Sequence, residues 1–184
     1  ISMIINKKVS FEFDGVLSEF KNIELAKLLI EVGYEVHITT EREDSENDDI
    51  FKIANFLGIN REDIHFLNHT PKFLFFQIND FIFHIDKSDL ELKLMVENEL
   101  HIGIMFDREL LHKKLTSPNG YIHNVIQLLV KGYGNNTITN YNLVHLYERL
   151  NFIEKDYLFK EIVNILENKD ISETFIELDG VKLL

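Results

Sequence analysis

The chain has 184 residues, 45% of them hydrophobic, a formal net charge of −12 and no cysteine. This composition predicts a globular protein and excludes disulfides, thiol nucleophiles and cysteine-based zinc sites. The negative charge argues against non-specific binding to nucleic acids or anionic membranes, and no apolar run approaches the roughly 20 residues of a membrane span. We therefore expect a soluble, cytoplasmic protein that does not associate with membranes.

Strand and helix patterns alternate through the first 107 residues of the chain. The predicted strands cover 8–13, 34–39, 64–67, 81–85 and 102–106. The predicted helices cover 19–32, 48–57, a segment that begins at 70, and 88–100. Thr70 is the expected N-cap of the third helix, with Pro71 at its first position, and Ser88 and Glu91 form a capping box for the fourth. The alternation predicts an α/β fold, a three-layer Rossmann-like arrangement with a parallel five-stranded sheet flanked by helices.

The remainder of the chain is predicted to be a mostly helical C-terminal extension. An amphipathic helix is expected over 121–131, a loop over 132–140, and a helical hairpin over 142–150 and 156–166. Near the end, the sequence Leu178-Asp179-Gly180-Val181 carries the Asp-Gly signal of a two-residue β-hairpin. We therefore divide the chain into an α/β core, 1–115, and a helical extension, 116–184.

Two carboxylates, Glu12 and Asp14, close the first predicted strand, and Gly15 follows them. On a strand this spacing places both side chains on one face, where their repulsion is costly unless a cation or a shared proton relieves it. A solvated edge strand would also explain the pair. Further polar residues fall at the ends of later strands or at a helix start: Thr39, Thr40, Asp86 and Lys72. Parallel sheets bind ligands at the carboxyl ends of their strands, so these residues form a candidate site.

The segment Phe11-Glu12-Phe13-Asp14-Gly15-Val16-Leu17 resembles the first motif of the haloacid dehalogenase (HAD) superfamily, which is Asp-x-Asp-Gly followed by Val or Thr. The other three motifs of that family follow in order at Thr40 (with Thr39 as the other choice), Lys72 and Asp86. The resemblance spans roughly residues 7 to 107. It implies a HAD-like fold and a phosphomonoester hydrolase that works through an aspartyl-phosphate-type intermediate.

The resemblance also implies a role for each matching residue. Glu12 stands at the position of the nucleophile, and Asp14 at that of the general acid and base. Substrate phosphate would be bound by Thr40 or Thr39 and by Arg42. Lys72, a catalytic residue that also contacts substrate, would stabilise the developing negative charge.

An Mg²⁺ ion is the cofactor that the resemblance implies. Its ligands would be the carboxylates of Glu12 and Asp86 and the backbone carbonyl of Asp14, which are oxygen donors of the kind that Mg²⁺ prefers. The ion would hold the nucleophile and the phosphate together despite their like charges.

Two positions depart from the family pattern. Glu12 replaces the nucleophilic aspartate and is longer by one methylene, and a misplacement of about 1 Å can cost roughly 100-fold in rate. Lys87 follows Asp86 where the family usually carries a second acid, and Asp89 or Glu91 is the alternative for that role. Glu12 at the nucleophile position is therefore expected to lower the hydrolase activity.

The intervals between motifs are too short to hold a cap domain, so we expect a capless site that a homo-oligomer would cover. The expected substrate is a small phosphorylated molecule or a phosphoprotein. One alternative is a catalytically inactive HAD-like pseudophosphatase that acts as a binding or interaction module. Another is a polynucleotide phosphatase, but residues 41–49 carry six carboxylates against Arg42 alone, which argues against nucleic acid.

Overall fold

The computed structural model describes residues 6–106, 125, 128–129, 176–178 and 181–183. The chain divides into two compact units, Lys7–Asp107 and a second made of Ile1–Asn6 with Arg108–Leu184. The predicted division after residue 115 uses a different boundary and stays a prediction. No helix within the described ranges is long and apolar enough to cross a membrane.

The first unit is built on five parallel strands. Their bounds are β1 Lys8–Phe11, β2 Glu35–Thr40, β3 Ile64–Phe66, β4 Phe83–Asp86 and β5 Gly103–Met105. All neighbours pair in parallel, in the order β3-β2-β1-β4-β5. The predicted α/β fold with a parallel five-stranded sheet is therefore confirmed, although the strands are shorter than predicted at one or both ends or shifted by a residue or two.

The strand order fixes where a ligand would bind. From β1 the chain winds outward to β2 and β3, and it then returns past β1 to β4 and β5. The direction of winding reverses between β1 and β4, and a crevice forms outside the carboxyl ends of those two strands. Phe11 of β1 is paired with Ile85 of β4, so Glu12 and Asp86 come next along the two strands. The fold thus brings two of the predicted site residues to the switch point.

Four α-helices connect the strands: α1 Phe20–Glu31, α2 Asp48–Leu57, α3 Lys72–Ile78 and α4 Asp89–Glu97. The bounds of α2 agree with the prediction, and Gly58 ends this helix at φ +76° in the left-handed region. The predicted N-cap at Thr70 is wrong, because Pro71 takes the N-cap position and α3 begins at Lys72. The predicted capping box at α4 forms only in part.

The Glu91 residue takes part in the first turns of both α3 and α4. The Ser88 hydroxyl accepts a hydrogen bond from the Glu91 N–H at 3.3 Å, as a capping box requires. The Glu91 carboxylate does not return to Ser88, because it accepts from the N–H of Lys72 at 2.9 Å. Glu91 therefore caps α3 from the first turn of α4. Burial raises the pKa of Glu91 even though the Lys72 N–H favours the ionised form.

The core of the first unit lies on both faces of the sheet. Val9 and Phe11 of the central strand are fully buried, as are Phe83 and Ile85 on β4. The Phe11 and Phe83 rings meet edge to face at 6.1 Å. Strands with two covered faces are apolar along most of their length, which is why alternation is weak in this sequence.

In the second unit, the described residues confirm one predicted feature. Strands β6 Ile176–Leu178 and β7 Val181–Leu183 pair in antiparallel fashion across Asp179-Gly180, as the hairpin signal predicts. Residues 125, 128 and 129 are helical and lie inside the predicted helix 121–131. The rest of that helix, the loop 132–140 and the hairpin 142–166 lie outside the described residues.

Two histidines stack across β2 and β3. His37 Nδ1 lies 2.9 Å from His65 Nε2, and the two rings are 5.2 Å apart and nearly parallel. Burial lowers the pKa of His37 below its ordinary 6.5, although Asp63 and Glu35 oppose this shift. Burial, the charge of His37 and that of Lys8 lower the pKa of His65 to about 4. Both rings are therefore neutral in the folded protein at neutral pH.

The histidine pair predicts an acid-sensitive fold. His65 has a folded-state pKa below its unfolded value, so its contribution to stability is complete above pH 6.5 and is lost as the pH falls toward about 4. Urea unfolding across this range should show the free energy of unfolding falling more steeply in the parent than in His65→Phe, which keeps a half-buried aromatic ring. The exposed His101→Gln is the matched control and should keep the parent slope. Equal slopes for all three proteins would contradict the prediction.

Candidate active site

A cavity of about 360 Å³ lies at the carboxyl ends of the central strands. It is lined mainly by charged side chains from several separate segments of the chain: Glu12, Asp14, Glu41, Arg42, His69, Lys72, Asp86, Lys87 and Ser88. Four carboxylates thus face three permanent cations within one small volume. Such a lining binds polar or charged ligands in preference to apolar ones.

Glu12 is held by the turn that follows β1. Phe13–Leu17 form a kinked turn that the Leu17 N–H closes by donating to the Glu12 carbonyl at 3.0 Å, and inside it Gly15 occupies the left-handed region at φ +70°. Glu12 Oε1 accepts hydrogen bonds from the N–H of Phe13 at 2.8 Å and of Asp14 at 3.3 Å. One oxygen of the carboxylate is therefore committed to the turn, and the other points into the site.

Lys72 joins the two acids of the switch point. Its Nζ lies 2.5 Å from Glu12 Oε2 and in direct contact with Asp86 Oδ2, and Glu41 Oε1 is 3.7 Å away. The Lys72 side chain is only 1% exposed. Burial alone would lower the pKa of Lys72, but the charges of Glu12 and Asp86 outweigh it and raise the pKa. The ammonium is therefore charged and bound between the two carboxylates.

A chain of buried hydrogen bonds fixes Asp86. His84 Nε2 lies 2.9 Å from Asp86 Oδ2, and His84 Nδ1 lies 2.9 Å from the Ser10 hydroxyl. A carboxylate can only accept, so Nε2 of His84 donates, and its Nδ1 accepts from Ser10. Ser10 in turn lies 2.7 Å from the Thr39 hydroxyl. His84 and Lys72 contact the same oxygen of Asp86, Oδ2, so this chain and the Lys72 ammonium together hold the carboxylate in place.

The same contacts set the charge of Asp86. Burial alone would raise the pKa of Asp86, but the hydrogen bond from His84 and the contact with Lys72 hold it far below its usual range. Burial lowers the pKa of His84, which is consistent with a neutral imidazole that donates to an ionised carboxylate.

Ser10 and His84 are site residues that the sequence-based prediction missed. His84 is fully buried, as a core histidine would be, but it also contacts Asp86. The signal was present in the spacing, because Ser10 precedes Glu12 by two positions and His84 precedes Asp86 by two. Residues two apart share a face of a strand, and Ser10 and His84 are paired on adjacent strands.

Arg42 was predicted to bind substrate, but in this structure it binds acids of its own chain. Its Nε and Nη2 donate to the two oxygens of Asp14 at 3.0 and 2.6 Å. Its Nη1 and Nη2 donate to Asp49 at 2.8 and 2.9 Å. These bonds raise the pKa of Arg42 further and lower the pKa of Asp49. The Asp14–Arg42 pair is partly exposed, so a competing anion can reach it.

The two threonines lie beside the cavity and do not line it. Both are buried at the end of β2. The Thr39 hydroxyl bonds Ser10, and Thr40 Oγ1 accepts from the Arg42 N–H at 3.3 Å. Direct phosphate binding by Thr39 or Thr40 stays a prediction, whereas their contacts here orient Ser10 and the start of the Arg42 segment.

The carboxylates of this site do not fit an Mg²⁺ ion in the arrangement described. Glu12 and Asp86 converge as predicted, but the position between them holds the Lys72 ammonium. Asp14 is turned toward Arg42. Within the described residues, no group of three or more His, Cys, Asp or Glu side chains could hold a metal ion. The predicted Mg²⁺ site therefore stays a prediction that requires Lys72 to move.

Comparison of the chain with protein-family models, with curated proteins and with solved structures found no match. The likeness to the HAD superfamily therefore rests on the four sequence motifs.

Proposed function

We propose that this protein hydrolyses small phosphomonoesters through a phosphoryl intermediate on Glu12, with the roles that the HAD resemblance implies for Glu12, Asp14 and Lys72. One observation carries the proposal: Glu12 and Asp86, 74 positions apart in sequence, both contact the Lys72 ammonium inside a charged cavity. A nucleophile and a fixed cation at the switch point of a parallel sheet are two of the parts that such a reaction needs, and the ionised Asp86 holds the cation in place.

The residues divide the reaction into two steps. Glu12 Oε2 attacks phosphorus, the bond to the leaving oxygen breaks, and Asp14 supplies the proton that this oxygen takes up. Asp14 then removes a proton from water, whose oxygen attacks the acyl phosphate and releases inorganic phosphate. Lys72 stabilises the charge on the transferring group throughout.

Arg42 must change partners for this cycle to run. Asp14 has both oxygens turned toward Arg42 in the free protein, so its carboxylate is not directed at the leaving oxygen of a substrate. A phosphoryl group that enters the cavity offers Arg42 a bidentate partner of higher charge. Substrate binding would thereby release Asp14 for its role as acid and base.

A non-catalytic interaction module is the second candidate, and a specific observation favours it. Three acids of the cavity already have cationic partners, since Glu12 and Asp86 contact Lys72 and Asp14 is held by Arg42. A site whose charges are balanced internally is stable without a substrate, as a pseudophosphatase requires.

Phosphate release from a broad panel of phosphomonoesters separates the two candidates. The full chain should release phosphate from at least one small substrate, and Asp14→Asn should lower that rate by about 100-fold to 10,000-fold because the general acid and base is lost. Asp44→Asn, an exposed acid paired with Arg61, is the control and should keep the parent rate. Phosphorylated oligonucleotides should be poor substrates, because the acidic segment 41–49 begins at the cavity. No release from any substrate would favour the interaction module.

A further inference from the structure

Three carboxylates surround the ammonium of Lys72. Glu12 Oε2 and Asp86 Oδ2 contact it directly, and Glu41 Oε1 lies 3.7 Å away. Oxygen atoms from separate segments that converge on one point form the arrangement that a divalent cation also requires. The point of convergence is occupied by a group that belongs to the chain itself.

Lys72 is anchored at both ends. Its backbone N–H donates to the Glu91 carboxylate at 2.9 Å, and its side chain is 1% exposed. Withdrawal of the ammonium would leave Glu12 and Asp86 buried without a cation, which is strongly unfavourable. An incoming metal ion would have to displace Lys72. Its contacts with the carboxylates would have to outweigh both the lost contacts of the ammonium and the loss of part of the ion's own hydration.

A second cation stands where the family pattern places an acid. Lys87 follows Asp86 and lines the same cavity. Its side chain lies across Gly15, so closely that a Cβ on Gly15 would be 2.5 Å from Lys87 Nζ. The site therefore has one carboxylate fewer and one positive charge more than a two-acid motif would give it.

We propose that Lys72 is the resident cation of this site and that, while it is in place, the site does not bind Mg²⁺. The inference deepens the proposed function, since it names the cation on which a phosphoryl group would be held. Lys72 would then carry, as a fixed charge, the electrostatic role that the resemblance assigns to a metal ion.

Titration of the full chain with MgCl₂, followed by calorimetry and by thermal unfolding, tests the inference. The parent protein should show no saturable heat and no change in melting temperature. Lys72→Met should gain saturable binding and a melting temperature that rises with Mg²⁺ concentration, and Lys72→Met/Asp86→Asn should lose both. Lys93→Met, which removes an exposed lysine 3.9 Å from Glu97, should behave like the parent.

Two of the three outcomes that overturn the inference do not require Lys72→Met to fold. Saturable Mg²⁺ binding by the parent that Glu12→Gln or Asp86→Asn abolishes would show that the metal displaces Lys72. Binding gained in Lys87→Met, in which Lys72 is unchanged and no carboxylate is added, would show that Lys87 and not Lys72 excludes the metal. A folded Lys72→Met that binds no Mg²⁺ would also contradict it. Because these measurements need no turnover, a failure of the proposed hydrolase activity would leave their result unaffected.

Discussion

Replacement of Lys72 by methionine should lower the free energy of unfolding by about 3–5 kcal/mol, the range for removal of one partner from a buried ion pair. The variant keeps most of the side-chain volume but leaves two carboxylates, Glu12 and Asp86, without their shared cation. Urea unfolding monitored by circular dichroism measures the effect. The exposed Lys93→Met is the control and should change stability by less than about 0.5 kcal/mol.

The double variant Lys72→Met/Glu12→Gln shows whether charge is the cause. Removal of one of the two uncompensated carboxylates should make it more stable than Lys72→Met alone. If the double variant is less stable than the single one, the loss comes from packing around the lysine stem, and the electrostatic account of Lys72 is wrong.

Replacement of Glu12 by aspartate should raise the rate of phosphomonoester hydrolysis by about 100-fold, because ~1 Å of misplacement at a reacting atom costs about that much. In the present arrangement the longer side chain bends one oxygen back onto the N–H groups of Phe13 and Asp14. Steady-state release of phosphate from the best substrate of the panel measures the change. The isosteric Glu12→Gln is the control and should abolish turnover.

The variants Glu12→Asp and Glu12→Gln also distinguish the hydrolase from the interaction module. If Glu12→Asp hydrolyses no substrate of the panel while remaining folded, the chain lacks the chemistry that its motifs imply. If Glu12→Gln retains the parent rate, the released phosphate comes from a reaction in which Glu12 is not the nucleophile.

The parallel sheet could be predicted because its signals are local and repeated. Each strand is a short β-branched or aromatic run, each helix has an amphipathic stripe or a capping residue, and the alternation itself dictates parallel pairing. The same logic placed Glu12, Lys72 and Asp86 together, because carboxyl ends of parallel strands share one edge. Those three residues do converge.

Several of the contacts that were missed are long-range. Glu91 satisfies a local capping pattern, yet its carboxylate binds the N–H of Lys72, 19 positions away. Arg42 contacts Asp14, 28 positions away, and a sequence read segment by segment contains no signal for that partner. Which polar group a buried donor chooses depends on the packed geometry and not on spacing alone.

The lysine between the acids was missed for the same reason. The sequence contains a plausible set of Mg²⁺ ligands and a lysine with a separate role, and both interpretations are consistent with the motif spacing. Only the packed fold shows that the Lys72 ammonium reaches the point where Glu12 and Asp86 meet.

Trapping the acyl phosphate on Glu12 shows directly whether Glu12 attacks phosphorus. Asp14→Asn should be mixed with an aryl phosphate, whose leaving group needs no protonation, then quenched in acid and digested for mass spectrometry. Loss of the base that activates water should let the intermediate accumulate. In Asp14→Asn we expect the added mass of one phosphoryl group on the peptide that contains Glu12. In Asp14→Asn/Glu12→Gln we expect no such addition. A phosphoryl group on another residue, or an unmodified Glu12 peptide from a variant that still releases the aryl alcohol, would contradict the role of Glu12 as nucleophile.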